Sequence, residues 1–179
     1  MTTTSLQSLR QPTASQAADT SEARGADAIL RRTLRRHASG ITVITVPGPA
    51  GFTATSFTSV SLDPALVSFC LGATASTAAA VRRAERFAVH LLGAENTDLA
   101  RQFARSGIDR FEGVRYRQET DGLPVLADAP AWLTARVVSR QRLGDHYLVV
   151  GQVESGDVRQ EAPALVHHAG EFASVSRVA

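Results

Sequence analysis

The sequence predicts a mainly β domain of the α+β class, an antiparallel barrel with a few peripheral helices. Three observations carry that reading. Short apolar or β-branched runs recur along the chain, separated by Gly, Pro and Asp turn signals. Only three stretches have helical spacing or caps, and all are short. No long βαβ repeat is present and no Gly-x-Gly-x-x-Gly follows a strand, which argues against a parallel dinucleotide-binding sheet.

The elements follow in order. From Asp27 to Ala38, Leu30, Leu34 and Ala38 recur every four residues, the mark of a helix capped by Asp27 and stopped near Gly40. Ile41 to Val46 reads as a strand, Pro47-Gly48-Pro49 as its turn, and Gly51-Phe52-Thr53-Ala54 as the start of the return strand. Asp63-Pro64 marks a second turn before the apolar strand Ala65 to Leu71, expected to be buried on both faces. Ser76 is the expected cap of a short helix ending near Arg83. Phe87 to Leu92 is another apolar strand, and Glu95 to Arg105 a helix with Leu99 and Phe103 at i, i+4. Trp132 to Arg142 and His146 to Val153 form a hairpin about Leu143-Gly144-Asp145, and Glu171 to Val175 is the last strand.

Length and composition set the frame. The 179 residues, 44% apolar and 20% charged, suit one soluble globular domain. Residues 1–25 are rich in Ser, Thr, Gln and Ala with few large apolar groups, so they are expected to form a disordered tail before a domain over 26–179. The single cysteine, Cys70, precludes an intrachain disulfide and a cysteine metal centre, and the cytoplasm is the expected compartment. No apolar run approaches the roughly 18–20 residues of a membrane span. All 19 basic residues are arginine, which reconciles a pI near 9.3 with a net charge of +2. Arg31, Arg32, Arg35 and Arg36 cluster on one short helix without interleaved aromatics, which argues against a nucleic-acid partner.

Chemistry concentrates in four places. Between Thr53 and Ser61, the hydroxyls of Thr53, Thr55, Ser56, Thr58, Ser59 and Ser61 crowd one segment. Two readings stand there: threonine chosen for strand propensity, or hydroxyls and backbone N–H groups lining a polyol or phosphate-bearing ligand, with Phe57 as an apolar wall. Ser76-Thr77 opens a helix, either as a plain cap or as an anion site with Arg82 and Arg83 adding charge. His146 follows a tight Gly-Asp reversal into an apolar strand, which would aim its ring; a solvated turn histidine is the alternative. His167 and His168 lie beside the Gly170 bend before Phe172, but no third ligand stands at metal spacing, so no metal is expected.

Taken together, these motifs resemble the flavin reductase-like family of FMN-binding split barrels. The resemblance runs from about Leu30 to Phe172. It covers Arg36-His-Ala-Ser-Gly-Ile-Thr-Val-Ile-Thr45, Thr53-Ala54-Thr-Ser-Phe-Thr-Ser-Val-Ser-Leu-Asp-Pro64, Ser76-Thr-Ala78 and Phe87-Ala-Val-His-Leu-Leu92. It continues through Leu99-Ala-x-x-Phe103, Arg110-Phe-Glu-Gly113, Gly122-Leu-Pro124, Gly144-Asp-His146 and Leu165-x-His-His-x-Gly170. The hydroxyl-rich and Gly-Asp-His motifs are the specific ones.

The resemblance implies an antiparallel split β-barrel and an NAD(P)H-dependent flavin reductase. Thr55, Ser56, Ser59, Val60 and Ser61 would then meet the isoalloxazine and ribityl parts of FMN or FAD, with Thr53 and Ala54 leading into them. Ser76 and Thr77 would meet the phosphate, Arg110 and Phe111 would lie close by, and His146 and His168 would face the nicotinamide of NADH or NADPH. His146 is the expected catalytic-site residue, orienting the nicotinamide or the flavin edge and not serving as an obligatory base. Reduced flavin would pass to a separate monooxygenase, and a homodimer is implied in which each subunit completes the other's site. This sequence departs from the family at His167, where tyrosine is common, and at Ala169, where arginine is common. Two rivals remain: a non-catalytic flavin- or haem-binding barrel, and an oxidase of the pyridoxamine-phosphate type.

Overall fold

Alternation of apolar side chains at period two decides where each strand can sit, and here it serves two cores at once. The computed structural model describes residues 25–175. They fall in two units, one ending at His37 and the other beginning at Ala38. In the first, a helix (α1) spans 25–34, with Asp27 ion-paired to Arg31 one turn on. Asp27 thus lies inside the helix, and Ala38 lies beyond its end. The expected disordered tail falls almost wholly outside the described residues.

In the second unit, strands β1 (Ser39–Gly40), β2 (Thr42–Val46), β3 (Ala50–Ala54), β4 (Thr58–Leu62) and β5 (Ala65–Gly72) come first. Helix α2 (Ala78–Arg83), β6 (Arg86–Leu91), a 3₁₀ turn (Ala94–Asn96) and α3 (Thr97–Ala104) follow. The chain ends with β7 (Tyr116–Gln118), β8 (Pro124–Leu126), β9 (Ala131–Leu143), β10 (His146–Val158), β11 (Leu165–His168) and β12 (Glu171–Ser174). One antiparallel sheet runs β3-β2-β6-β9-β10-β5-β4, and smaller sheets are β1-β11-β12 and β7-β8. No helix among the described residues is long and apolar enough to cross a membrane.

The sheet curls. β3 is its first strand and β5 its sixth, yet the rings of Phe52 and Phe69 lie 5.8 Å apart. Phe69 in turn meets Phe87 edge-on at 5.1 Å. Ile44, Val46, Val89, Val149 and α2's Val81 fill the same interior. The opposite face of β2 sends Val43, together with Ile41 just before the strand, into a second cluster with Phe103, Leu126 and Leu165. β2 is therefore buried throughout, and its hydroxyls need partners: Thr42 donates to Ala54 O and Thr45 to Pro124 O. The edge strands β3 and β4 are not hydrogen-bonded to each other, so the mainly antiparallel α+β architecture is observed without a closed ladder.

One position shows how tightly the interior is filled. A Cβ at Gly151 on β10 would fall inside the Phe87 ring and against Ala135. Phe87 is fully buried and already packed on Phe69, so it has no room to withdraw. Gly151→Ala is expected to cost about 2 kcal/mol, read as a lower urea midpoint at unchanged slope. An unchanged midpoint would mean the ring can move aside. On the outside, Arg86 of β6 bonds Glu154, Asp121 and Glu119 at 2.7, 3.0 and 3.3 Å, tying the β7–β8 arm to the sheet.

Candidate functional site

The link from β3 to β4 carries the hydroxyl-rich segment, and the structure divides its hydroxyls by job. Thr53 Oγ1 donates to Ala100 O at 2.6 Å, fastening β3 to α3. Ser56 Oγ donates to Cys70 O and accepts from Cys70 N–H, pinning the link to β5. Ala54 is buried in the interior cluster. Thr58 bonds its neighbour's carbonyl. Thr55, exposed on the link, and Ser59 and Ser61 on β4 have no hydroxyl partner among the described residues. Val60 forms the bulge between Ser59 and Ser61 and is exposed.

At the start of α2 the expected cap is corrected. Thr77, not Ser76, occupies the cap position, in a helical conformation and with no side-chain cap bond, and Ser76 Oγ accepts from Arg110 Nη2 at 3.2 Å. Arg110 also donates to Arg105 O at 2.6 Å and to Gly51 O at 2.8 Å. All these partners are neutral, and burial pulls the guanidinium below its ordinary value. Beside it the Thr77 hydroxyl is buried with no partner. The two face a cleft of about 180 Å³ bordered by Pro49, Gly51, Ile108 and Phe111. A buried hydroxyl without a partner and a cation without an anion are both costly unless something fills that cleft.

The supports of Arg110 lie far off in sequence. Phe111 packs edge-on between Phe103 and Tyr116, at 5.1 and 5.2 Å. Gln102 Nε2 donates to Arg110 O and Glu112 O, fixing the turn that carries the guanidinium. Gly51 is obligatory in this arrangement, since a Cβ there would stand 2.7 Å from the Phe103 ring. Gln102 was not foreseen from the sequence, where its helix showed only the Leu99 and Phe103 spacing.

His146 opens β10 directly after a turn that Gly144 makes at positive φ. Its Nδ1 lies 2.8 Å from Asp145 Oδ1, and an ionised carboxylate only accepts, so Nδ1 carries a proton, and in the neutral form of the ring Nε2 is the acceptor. Asp145 O accepts from Ala73 N, anchoring the turn to the segment that leads into α2. His146 pairs with Gly72, where the lack of a side chain leaves Nε2 uncovered. Arg82 does not reach this point; its guanidinium lies over the Tyr147 ring at 5.6 Å.

The C-terminal candidates sit elsewhere. His168 is exposed at the β11–β12 turn, where Ala169 and Gly170 both take positive φ. Phe172 packs edge-on to His167 at 6.3 Å and lies under Arg101 at 5.5 Å. No described contact joins His168 to His146. The structure therefore gathers the hydroxyl link, Ser76, Thr77, Arg110 and His146 around β5 and the α2 start, and leaves His168, Gly170 and Phe172 in the smaller sheet.

Residues 34–176 match the family described as flavin reductase like domain. The chain belongs to the flavin reductase family. This flavin reductase is 44% identical over 151 residues to the NADH:FMN oxidoreductase of Rhodococcus erythropolis, covering 79% of this chain and 78% of that one. It is 31% identical over 149 residues to the flavin-dependent monooxygenase reductase subunit HsaB of Rhodococcus jostii, covering 81% and 76%. Among solved structures, the flavin reductase domain protein of Arthrobacter sp. FB24 superposes with a TM-score of 0.82 at 31% identity, covering 86% of this chain and 98% of that one. The NADH:FAD oxidoreductase SgcE6 of Streptomyces globisporus, in complex with NAD and FAD fragments, gives 0.77 at 34% identity, covering 82% and 91%.

Proposed function

We propose that this chain transfers hydride from NADH or NADPH to FMN or FAD and releases reduced flavin to a separate flavin-dependent monooxygenase. The observation that carries it is Arg110, a cation fixed by three neutral acceptors beside the unpartnered Thr77 hydroxyl. That pair, with Ser76, fits a flavin phosphate in charge and in hydrogen bonding. Thr55, Ser59 and Ser61 keep hydroxyls for the ribityl chain and ring edge, and the exposed Val60 offers an apolar contact. Ser56 acts through the backbone it positions, its own hydroxyl being used on Cys70.

When bound together, the reduced nicotinamide and the oxidised flavin supply the hydride chemistry themselves. The chain's residues hold and orient. In the neutral ring His146 Nε2, left as the acceptor by the Asp145 bond, suits the amide N–H of a nicotinamide carboxamide. No side chain has to move a proton for the hydride to pass, so His146 positions and need not act as a base.

The reading includes a split barrel, supported by the approach of Phe52 to Phe69 across the interior. It also includes a homodimer. Edge strand β4 exposes Val60 and, at 91%, Leu62, apolar groups on an unpaired edge that a second copy would cover. His168 would then serve from its separate sheet near the partner's nicotinamide.

The test is oxidation of NADH and NADPH by purified protein with FMN, FAD or riboflavin added. Flavin-dependent turnover is expected. Bound flavin without turnover would leave a carrier and overturn the reductase. His146→Ala, assayed alongside, is expected to raise KM for the nicotinamide donor about fivefold while flavin binding stays within about twofold. Equal losses in both would remove the assigned role.

A further inference from the structure

The last turn of α3 grips Arg110 at both of its ends. Gln102 Nε2 donates to Arg110 O at 3.1 Å and to Glu112 O at 2.8 Å. Three residues on, Arg105 caps α3, and its carbonyl accepts from Arg110 Nε at 2.6 Å. The backbone and the guanidinium of one residue are thus tied to a single helix end, eight and five residues back along the chain. That helix is itself fastened to β3 by the 2.6 Å bond from Thr53 Oγ1 to Ala100 O. β3 supplies Gly51 O, a further acceptor for the same guanidinium at 2.8 Å. Helix, turn and strand close a frame around Arg110.

The bond from Gln102 has a counterpart across the same peptide unit. Asp109 Oδ1 accepts from Phe111 N–H at 2.9 Å. The unit joining Arg110 to Phe111 is therefore held at both polar atoms, its carbonyl by Gln102 and its N–H by Asp109. A peptide unit is planar, so fixing both atoms fixes the plane in which the Arg110 Cα lies. The acceptors facing Gln102 are both carbonyl oxygens, so its amide must turn the NH2 towards them, and both N–H groups are used. Gln102 therefore has no donor left for a ligand and acts through the residue it holds. An arginine side chain loses much rotamer freedom when it is ordered on binding. Where the fold has already ordered it, an arriving anion does not bear that loss.

We propose that Gln102 is a positioning residue whose hold on the Arg110–Phe111 peptide sets how strongly the site prefers a phosphorylated flavin to one without phosphate. The inference rests on the reductase reading and on its assignment of Arg110 to the flavin phosphate. Without the Gln102 bonds the peptide keeps Asp109 on one side only, and the turn can rotate. The charge of Arg110 would remain, but its fork would no longer be presented in one direction. A flavin lacking phosphate makes no use of that direction.

Gln102→Met keeps the unbranched shape and removes both donors, and Gln102→Leu repeats the loss with a different packing. FMN and riboflavin binding are titrated by flavin fluorescence for each, for Arg110→Met and for the double variant Gln102→Met/Arg110→Met, with urea midpoints alongside. Gln102→Met is expected to bind FMN about fivefold more weakly and riboflavin within about twofold of wild type. In the Arg110→Met background the same substitution is expected to change FMN binding by less than about twofold, since the residue it acts through is gone. Equal weakening of both flavins, with a lowered urea midpoint, would make Gln102 a general support and overturn the inference. So would unchanged FMN binding in both Gln102 variants, or an equal loss with and without Arg110. If Arg110→Met itself leaves FMN binding unchanged, the phosphate assignment fails and takes the inference with it. Binding is read without turnover, so a chain that holds FMN in this pattern yet oxidises no NADH overturns the reductase reading and leaves the role of Gln102 standing.

Discussion

Arg110→Met is expected to weaken FMN binding about 30-fold and to leave riboflavin binding within about twofold. The asymmetry follows from what Arg110 touches. Its three bonds go to Arg105 O, Gly51 O and Ser76 Oγ, none of which carries charge. The positive charge is therefore available to a phosphate, while riboflavin has no phosphate to lose. A hydrogen bond between charged groups contributes roughly 1.5–3 kcal/mol, which brackets the expected factor. Arg110→Lys keeps the charge but cannot span Gly51, Arg105 and Ser76 at once, so an intermediate loss is expected. Flavin fluorescence titrations check both variants. If riboflavin weakens as much as FMN, Arg110 only shapes the loop and the phosphate assignment falls.

Why Arg110 stands out only in the folded chain is a matter of sequence distance. Its guanidinium reaches Gly51, 59 residues away, and Ser76, 34 residues away. Local reading saw Ser76-Thr77 as a helix start and assigned the cap to Ser76, since caps are local and Arg110 is not. In the folded chain Thr77 holds the cap position and Ser76 Oγ accepts from Arg110. Likewise Thr53 and Ser56 counted as ligand hydroxyls because hydroxyl crowding is visible in sequence, but their acceptors on α3 and β5 are not.

The strands with apolar runs were legible because alternation and turn residues mark them. Thr42–Val46, Ala65–Gly72 and Arg86–Leu91 lie within a residue or so of expectation. β4 is legible only as the strand-propensity alternative for the hydroxyl-rich segment, because its exposed, hydroxyl-bearing side chains give no inward-facing apolar pattern. β10 runs on to Val158 where Val153 was expected, because its exposed end is held by pairing with Trp132 and Leu133 and not by apolar burial. The turn expected about Leu143-Gly144-Asp145 falls at Gly144-Asp145, with Leu143 still in β9 and His146 opening β10, since a glycine reversal between two β-rich runs is a local signal.

His90 is expected to make the fold lose about 3 kcal/mol of stability between pH 6.5 and pH 4. Its ring is fully buried on β6 between two backbone groups. Leu126 N–H donates to Nε2 at 2.9 Å, so the proton must be on Nδ1, which donates to Val43 O at 3.0 Å. Burial, with help from Arg159 and Arg117, pushes the imidazole down to about 4 against the opposing Val43 bond. The sign follows directly. Above pH 6.5 the ring is neutral in both folded and unfolded chains. As pH falls from 6.5 to 4 the unfolded chain gains a proton that the folded chain refuses, so stability falls, and below 4 this group adds no further loss. His90→Gln is expected to be less stable at neutral pH, since Leu126 N–H and Val43 O lose well-placed partners. It should also show a flatter stability profile over that window, measured by urea unfolding at several pH values; parallel profiles for the two proteins would refute the role. The consequence reaches the site. Leu126 belongs to the same cluster as Phe103 and Phe111, the rings beneath Arg110. Protonating His90 removes the bond that seats Leu126, so acid should loosen the support of Arg110 before the sheet itself melts, and FMN affinity should fall ahead of the unfolding transition.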